Sequence, residues 1–213
     1  MSARRLTRKE QQAETRERLL LSAGKVFARR GFQAASLDEI AADAGFTKGA
    51  VYANFESKED LFLAMLDERF AGRRAAMERT AASDAAPEEQ VRAGGGDFAE
   101  YLTADPEWQR LFFEMAAHAT RDPRFRRALV ARYRGLRDVI AEVYARRAEE
   151  LGYEVPMPFE RIAWMVFAMG NGFAMEKLLE PDAVPDDLFA NMLEIFLTGL
   201  RTMVEEGAAA RIG

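Results

Sequence analysis

Residues 38–62 read DEIAADAGFTKGAVYANFESKEDLF, and the spacing within this stretch decides what kind of fold the chain adopts. Leu37, Ile40 and Ala41 fall on one face of a short helix over 37–44. Val51 and Phe55, four residues apart, fall on one face of a second helix over 48–55. Between them lies Gly45-Phe46-Thr47. Gly45 can take the positive φ that ends a helix, and the Thr47 hydroxyl can cap the next one. Two short helices joined by a tight turn, each apolar on one side, make a helix-turn-helix. With Val51 and Phe55 inward, Thr47, Lys48, Gly49, Tyr52 and Ala53 face outward. Most are small or polar, which lets the second helix sit deep in a major groove.

Charge at the helix starts is an independent signal. Three helices begin close together in sequence, capped by Ser36, Thr47 and Ser57. A helix N-terminus offers unpaired N–H groups and the positive end of a dipole, so it suits an anion. Lys48 and Lys58 stand one residue inside two of these starts, where a cation opposes the dipole. A local rule broken at two caps points to use, here a polyanion shared by dipole and lysine. The plainer alternative is three ordinary caps with lysines in solvent. The overall charge is −5, but residues 1–80 hold 15 Lys/Arg against 12 Asp/Glu, a balance of +3. Residues 81–213 hold 15 against 23, a balance of −8. A basic end on an acidic chain is the footprint expected of a local nucleic-acid site.

The remaining sequence reads as helix throughout. Thr7-Arg-Lys-Glu10 is a capping box. It opens a helix whose apolar stripe is Leu19, Leu20, Ala23, Val26 and Phe27, closed by Arg29-Arg30-Gly31. Ser36-Leu-Asp-Glu39 is a second capping box, and Ser57 starts a long helix to about Thr80. Residues 81–86 form a soft linker, and Gly94-Gly95-Gly96 reads as a break or kink. Helices are expected over 87–103, 106–119, 123–151, 158–179 and 186–206. Asp105-Pro106 and Asp122-Pro123 start two of them, and Gly152 ends a third. No segment alternates at period two, so the expected class is all-α, with about nine helices.

The stretch TKGAVYANFESKEDLF resembles the recognition helix and following helix start of the TetR (tetracycline-repressor) family of bacterial transcriptional regulators. The likeness runs from about Thr15 to Met65 and includes LLLSAGKVFARRGFQAASLDEIAADAGFTKGAVYANFESKEDL. The resemblance implies that Thr47, Lys48, Gly49 and Tyr52 face DNA, with Ser36 and Lys58 on phosphates. Asn54 stands where the family often has His or Tyr, which alters a phosphate or base contact. Arg4, Arg5 and Arg8 form either an arm near the minor groove or a plain solvated tail. The family layout implies an N-terminal arm and helix-turn-helix domain over 1–57, a connecting helix over 58–80, and a helical effector-binding and dimerisation domain over 81–213.

The larger half carries its own signals. Helix 158–179 is apolar nearly all round, with Ile162, Trp164, Met165, Val166, Phe167, Met169 and Phe173. Helix 186–206 shows two apolar stripes. Each has a second face to bury, which points to a symmetric four-helix interface in a homodimer. Two recognition helices then read a pseudo-palindromic operator in double-stranded DNA. A small apolar or aromatic effector is expected among Trp108, Phe112, Met115, Phe125, Tyr133, Trp164 and Phe167, because Met and aromatic side chains suit an adaptable apolar site. Each of these residues also suits simple core packing. A repressor released by that effector is one reading. A regulator whose larger half only dimerises or docks a protein is the other.

Several classes are set aside. The chain has no cysteine and a single histidine, His118, so no thiolate chemistry and no clustered metal ligands are expected, and Glu114 with His118 is a poor metal pair. No Gly-rich phosphate loop follows a strand. An enzyme, a cofactor and a metal are therefore not expected. The longest apolar run, 162–175, is too short to span a bilayer. MSARRLTRKEQQ has no apolar stretch of the secretory kind, so the expected location is cytoplasmic.

Overall fold

Thr7 accepts a hydrogen bond from the Glu10 amide, and Glu10 returns one from the Thr7 amide at 2.7 Å, closing the capping box that starts the first helix. The computed structural model describes residues 7–212, and among them it is helical without strands. In chain order the helices are α1 (Arg8–Ala34), α2 (Leu37–Ala44), α3 (Lys48–Tyr52), α4 (Lys58–Ala81), α5 (Pro87–Thr103), α6 (Pro106–Ala119), α7 (Pro123–Leu151), α8 (Phe159–Leu179) and α9 (Leu188–Ile212).

The helices form two compact units. The first comprises the described part of residues 1–69 together with Arg110–Leu129. The second comprises Phe70–Gln109 and the chain from Val130 onward. The expected boundaries at 57 and 80 follow chain order, whereas the units do not. The first turns of α4, most of α6 and the start of α7 pack with the N-terminal helices.

In the first unit the apolar stripes predicted for α1, α2 and α3 converge. Leu19, Val26, Ile40 and Val51 are fully buried, and Phe27, Ala41 and Phe55 nearly so. Gly31 adopts φ 72, so the helical path breaks there as expected. Residues 32–34 then add one more helical turn, carrying α1 three residues past the expected end. The second capping box is only half made. Ser36 accepts from the Glu39 amide at 3.1 Å, but the Glu39 carboxylate turns to Arg30 at 3.1 Å instead. Gly45 ends α2 at φ 72, and Thr47 caps α3, which is shorter than expected and closes in a turn before Phe55.

In the second unit the Gly94-Gly95-Gly96 triplet is not a break. α5 runs through it, because Gly95 is where α9 comes closest. A Cβ on Gly95 would lie 2.7 Å from the Ala190 Cα. The glycine is spent on a close helix crossing rather than on flexibility. The same pair of helices is joined by Phe98 against Phe189, with ring centroids 4.6 Å apart, and by Arg92 on Glu194. Lys177 gathers the α8–α9 connection, donating to the carbonyls of Pro181 at 2.8 Å and Val184 at 2.7 Å and pairing with Asp186. Asp105 and Asp122 cap α6 and α7 through the amides of Trp108 and Phe125, each at 3.0 Å. No described helix is long and apolar enough to cross a membrane.

Candidate nucleic-acid interface

The first unit locks α3 from behind. Val51 and Phe55 are 0% and 1% exposed, while Tyr52 on the opposite side is 58% exposed. Thr47, Lys48 and Gly49 are exposed beside it. The outward row predicted from spacing is therefore presented as one surface, opposite the buried Val51 and Phe55. Gly49 has no internal reason to be glycine. A Cβ there would meet nothing closer than the Thr47 hydroxyl, at 3.8 Å.

The charges on this surface are more constrained than the sequence suggested. The Lys48 ammonium is paired with the Asp38 carboxylate on α2, and this hydrogen bond raises its pKa. Lys58 was expected on a phosphate. It instead donates to the carbonyls of Phe32 at 2.8 Å and Gln33 at 3.0 Å, with its Nζ 4.8 Å from the Phe32 ring. The last turn of α1 has carbonyls without helical partners, and a buried-side cation is the donor they need. Lys58 is thus spent on closing α1. Asn54 likewise turns inward: its side-chain amide donates to the Ala50 carbonyl at 2.8 Å and caps the end of α3. Ser36 is exposed, with its hydroxyl taken by the Glu39 amide.

One group of residues was missed by sequence reasoning. Lys9, Gln12, Ala13 and Arg16 of α1, with Ala53 and Asn54, line a shallow groove of about 280 Å³. Arg16 bridges it, donating to the Asn54 carbonyl at 3.4 Å and stacking 4.5 Å over the Phe55 ring. The signal was present in the spacing: Lys9, Gln12 and Arg16 stand three and four apart, one polar face of α1. Arg8 lies exposed in the first turn of α1 rather than in an arm, and Arg4 and Arg5 lie outside the described residues.

Residues 19–65 match the family model for bacterial regulatory proteins of the tetR family, and residues 87–202, more than half the chain, match that for the C-terminal domain of BetI-type transcriptional repressors. The chain belongs to the TetR family. It is a DNA-binding, helix-turn-helix transcriptional regulator. Among curated proteins it is 37% identical over 105 residues to the transcriptional activator FasR of Mycolicibacterium smegmatis, a match covering 47% of this chain and 46% of FasR. It is 48% identical over 58 residues to the transcriptional repressor BepR of Brucella suis, covering 27% and 28%. These matches span about half or less of the curated relatives. A solved structure of FadR from Bacillus subtilis in complex with stearoyl-CoA superposes with a TM-score of 0.71 at 16% identity, covering 85% of this chain and 96% of that one.

In the TetR-family chain the seven aromatic and Met candidates divide between the two units. Met115 and Phe125 are core residues of the first unit. Met115 is fully buried, and the Phe125 ring lies 6.1 Å from Phe62 and 5.3 Å from His118. Phe112 belongs to that unit as well, with its ring 5.6 Å from Phe113. His118 lies there too, with its Nε2 3.7 Å from the Glu59 carboxylate. Trp108, Tyr133, Trp164 and Phe167 belong to the second unit. Tyr133 and Phe167 meet edge to face at 5.1 Å, and Trp108 is buried. Trp164 is 57% exposed on the outer side of α8, so it does not line an interior site. Among the described residues no group of three or more His, Asp or Glu side chains is placed to hold a metal.

Proposed function

We propose that this regulator is a homodimeric repressor that binds a pseudo-palindromic operator and leaves it when a small effector enters the second unit. The observation that carries the DNA part is the fixed outward row of Thr47, Lys48, Gly49 and Tyr52. The Lys9, Gln12 and Arg16 groove adds a place for phosphate beside it. In support of a dimer, α8 exposes Trp164, Met165 and Leu179, and α9 exposes Ile195 and Met203. Large apolar side chains on adjacent helices want a cover, and a second copy brings two recognition helices to one duplex. Effector release requires a ligand that prefers the released state, since equal affinity for both states shifts nothing. A soluble cytoplasmic location goes with this role.

Fluorescence anisotropy on the DNA upstream of the chain's own gene tests the reading, with salt and scrambled competitor titrated. Selective binding by two chains per site, lost in Tyr52→Ala with dimerisation intact, is the expected result. Equal binding to scrambled DNA, or a Tyr52→Ala protein that binds unchanged, would overturn it. The same complex then serves to screen for a releasing compound.

A further inference from the structure

Arg16 and Arg18 stand two residues apart on α1, and each holds one helix end of the helix-turn-helix in the same way. Arg18 donates to the carbonyl of Ala44, the last residue of α2, at 2.9 Å, and its guanidinium lies 4.5 Å from the centroid of the Phe46 ring. Arg16 donates to the Asn54 carbonyl, in the turn that closes α3, at 3.4 Å, and its guanidinium lies 4.5 Å from the centroid of the Phe55 ring. Each contact combines a donor on a helix-end carbonyl with a flat cation on an aromatic ring just beyond it.

The last carbonyls of a helix have no partner within it, and they carry the negative end of its dipole. An arginine answers both needs. Other polar ties join α1 to α2: Arg29 pairs with Asp43 at 3.0 Å and Arg30 with Glu39 at 3.1 Å. Those link one side-chain tip to another, and either tip can move without moving a helix. Arg16 and Arg18 reach the main chain itself, so they fix where the backbones of α2 and α3 lie.

The need is greatest at α3, which is only the five residues Lys48–Tyr52. A helix this short does not hold its own shape in water, so its direction comes from its attachments. Val51 and Phe55 attach it from the inner side, and Arg16 covers the Phe55 ring and holds the turn that follows. Base edges are read by hydrogen bonds of strict geometry, whereas contacts to phosphate carry no sequence information. A small change in the pose of α3 therefore costs selectivity before it costs general affinity for DNA.

We propose that Arg16 and Arg18 are positioning residues for sequence reading, which set the pose of α2 and α3 on α1 through their forked, planar contacts. The proposal rests on the reading of α3 as the helix that enters the groove.

The test uses the full-length protein and the duplex it enriches from a random pool, with a scrambled duplex beside it. Arg16→Lys and Arg18→Lys keep the charge, and with it any contact to phosphate, but lose the planar fork and the stack. Each should lower affinity for the enriched duplex at least about tenfold, the scale of one good base contact. Affinity for scrambled DNA and the salt slope should stay as they were. Phe46→Leu, which alters no charge and leaves both arginines in place, should also lower selectivity, so a folding defect in one lysine variant does not decide the matter. Arg29→Lys, at an exposed ion pair, should leave selectivity intact. Undiminished selectivity in Arg16→Lys and Arg18→Lys would overturn the proposal. An equal loss on scrambled DNA would overturn it too, because the arginines would then be backbone contacts. A pool that enriches no sequence would overturn the reading of α3, and the proposal with it, whereas an enriched duplex bound equally by parent and variants overturns the proposal alone.

Discussion

Lys58 closes the first helix through the main chain of Phe32. Its ammonium accepts no role at the surface while it donates to the Phe32 carbonyl at 2.8 Å and to that of Gln33 at 3.0 Å. Replacing it with methionine keeps the stem against the Phe32 ring and removes both donors. Lys58→Met should therefore cost about 1–3 kcal/mol in denaturant unfolding, the cost of leaving part-buried acceptors without a charged donor. The slope of log K against log salt for operator binding should not change. A slope lowered by about one unit would mean that Lys58 also neutralises a phosphate.

Lys48 and Asp38 form the opposite case, an exposed pair on the side proposed to face DNA. Asp38 brings a negative charge to the surface proposed to meet phosphates, and its hydrogen bond raises the Lys48 pKa. Asp38→Asn releases the lysine and removes one anion. The helix loses a favourable first-turn charge, worth about 0.3–1 kcal/mol. Binding to DNA of any sequence should tighten at low salt, and the salt slope should steepen by about one. An unchanged slope would show that Lys48 points away from the backbone even when freed.

At Gly95 the expected effect lies in stability alone. A Cβ at this position would fall 2.7 Å from the Ala190 Cα and 2.8 Å from its Cβ. Neither is the movable end of a side chain, so α5 and α9 must separate. Gly95→Ala should cost about 1–3 kcal/mol in spite of alanine's better helix propensity. Thermal unfolding measures it. A variant as stable as the parent would show that the two helices slide apart freely. Gly96, with nothing within 4 Å of a Cβ, is the control and should tolerate alanine.

This contrast shows where the sequence was legible and where it was not. The helix-turn-helix could be read because local rules agreed: Gly45 at positive φ, Thr47 as cap, and Val51 with Phe55 four apart all pointed to one geometry. The glycine triplet misled because a glycine that allows a close crossing looks, in one dimension, like a glycine that breaks a helix. The internal roles of Lys58 and Asn54 were not legible for a related reason. Their partners, Phe32 and Gln33 for one and Ala50 for the other, are backbone carbonyls, and carbonyls carry no sequence signature. The aromatic candidates were chosen by composition. Composition does not separate Phe125, in the core of the first unit, from Tyr133 in the second.

Gly49 separates folding from DNA binding most cleanly. It lies within α3 at ordinary φ, and a Cβ there would meet only the Thr47 hydroxyl at 3.8 Å, an ordinary contact. The fold has no use for glycine at this position, and a helix interior pays about 0.8–1 kcal/mol for it relative to alanine. The proposed DNA contact supplies an external reason: with no side chain, the start of α3 can approach a duplex closely. Gly49→Ala should therefore leave stability unchanged or raise it by up to about 1 kcal/mol. Operator affinity should fall at least about tenfold in the same protein, because each methyl added at the groove holds the whole helix away. The two measurements, unfolding and anisotropy, are made on one preparation. A more stable protein with undiminished operator affinity would remove Gly49 from the interface and shift recognition towards Tyr52 and the Arg16 side of α1.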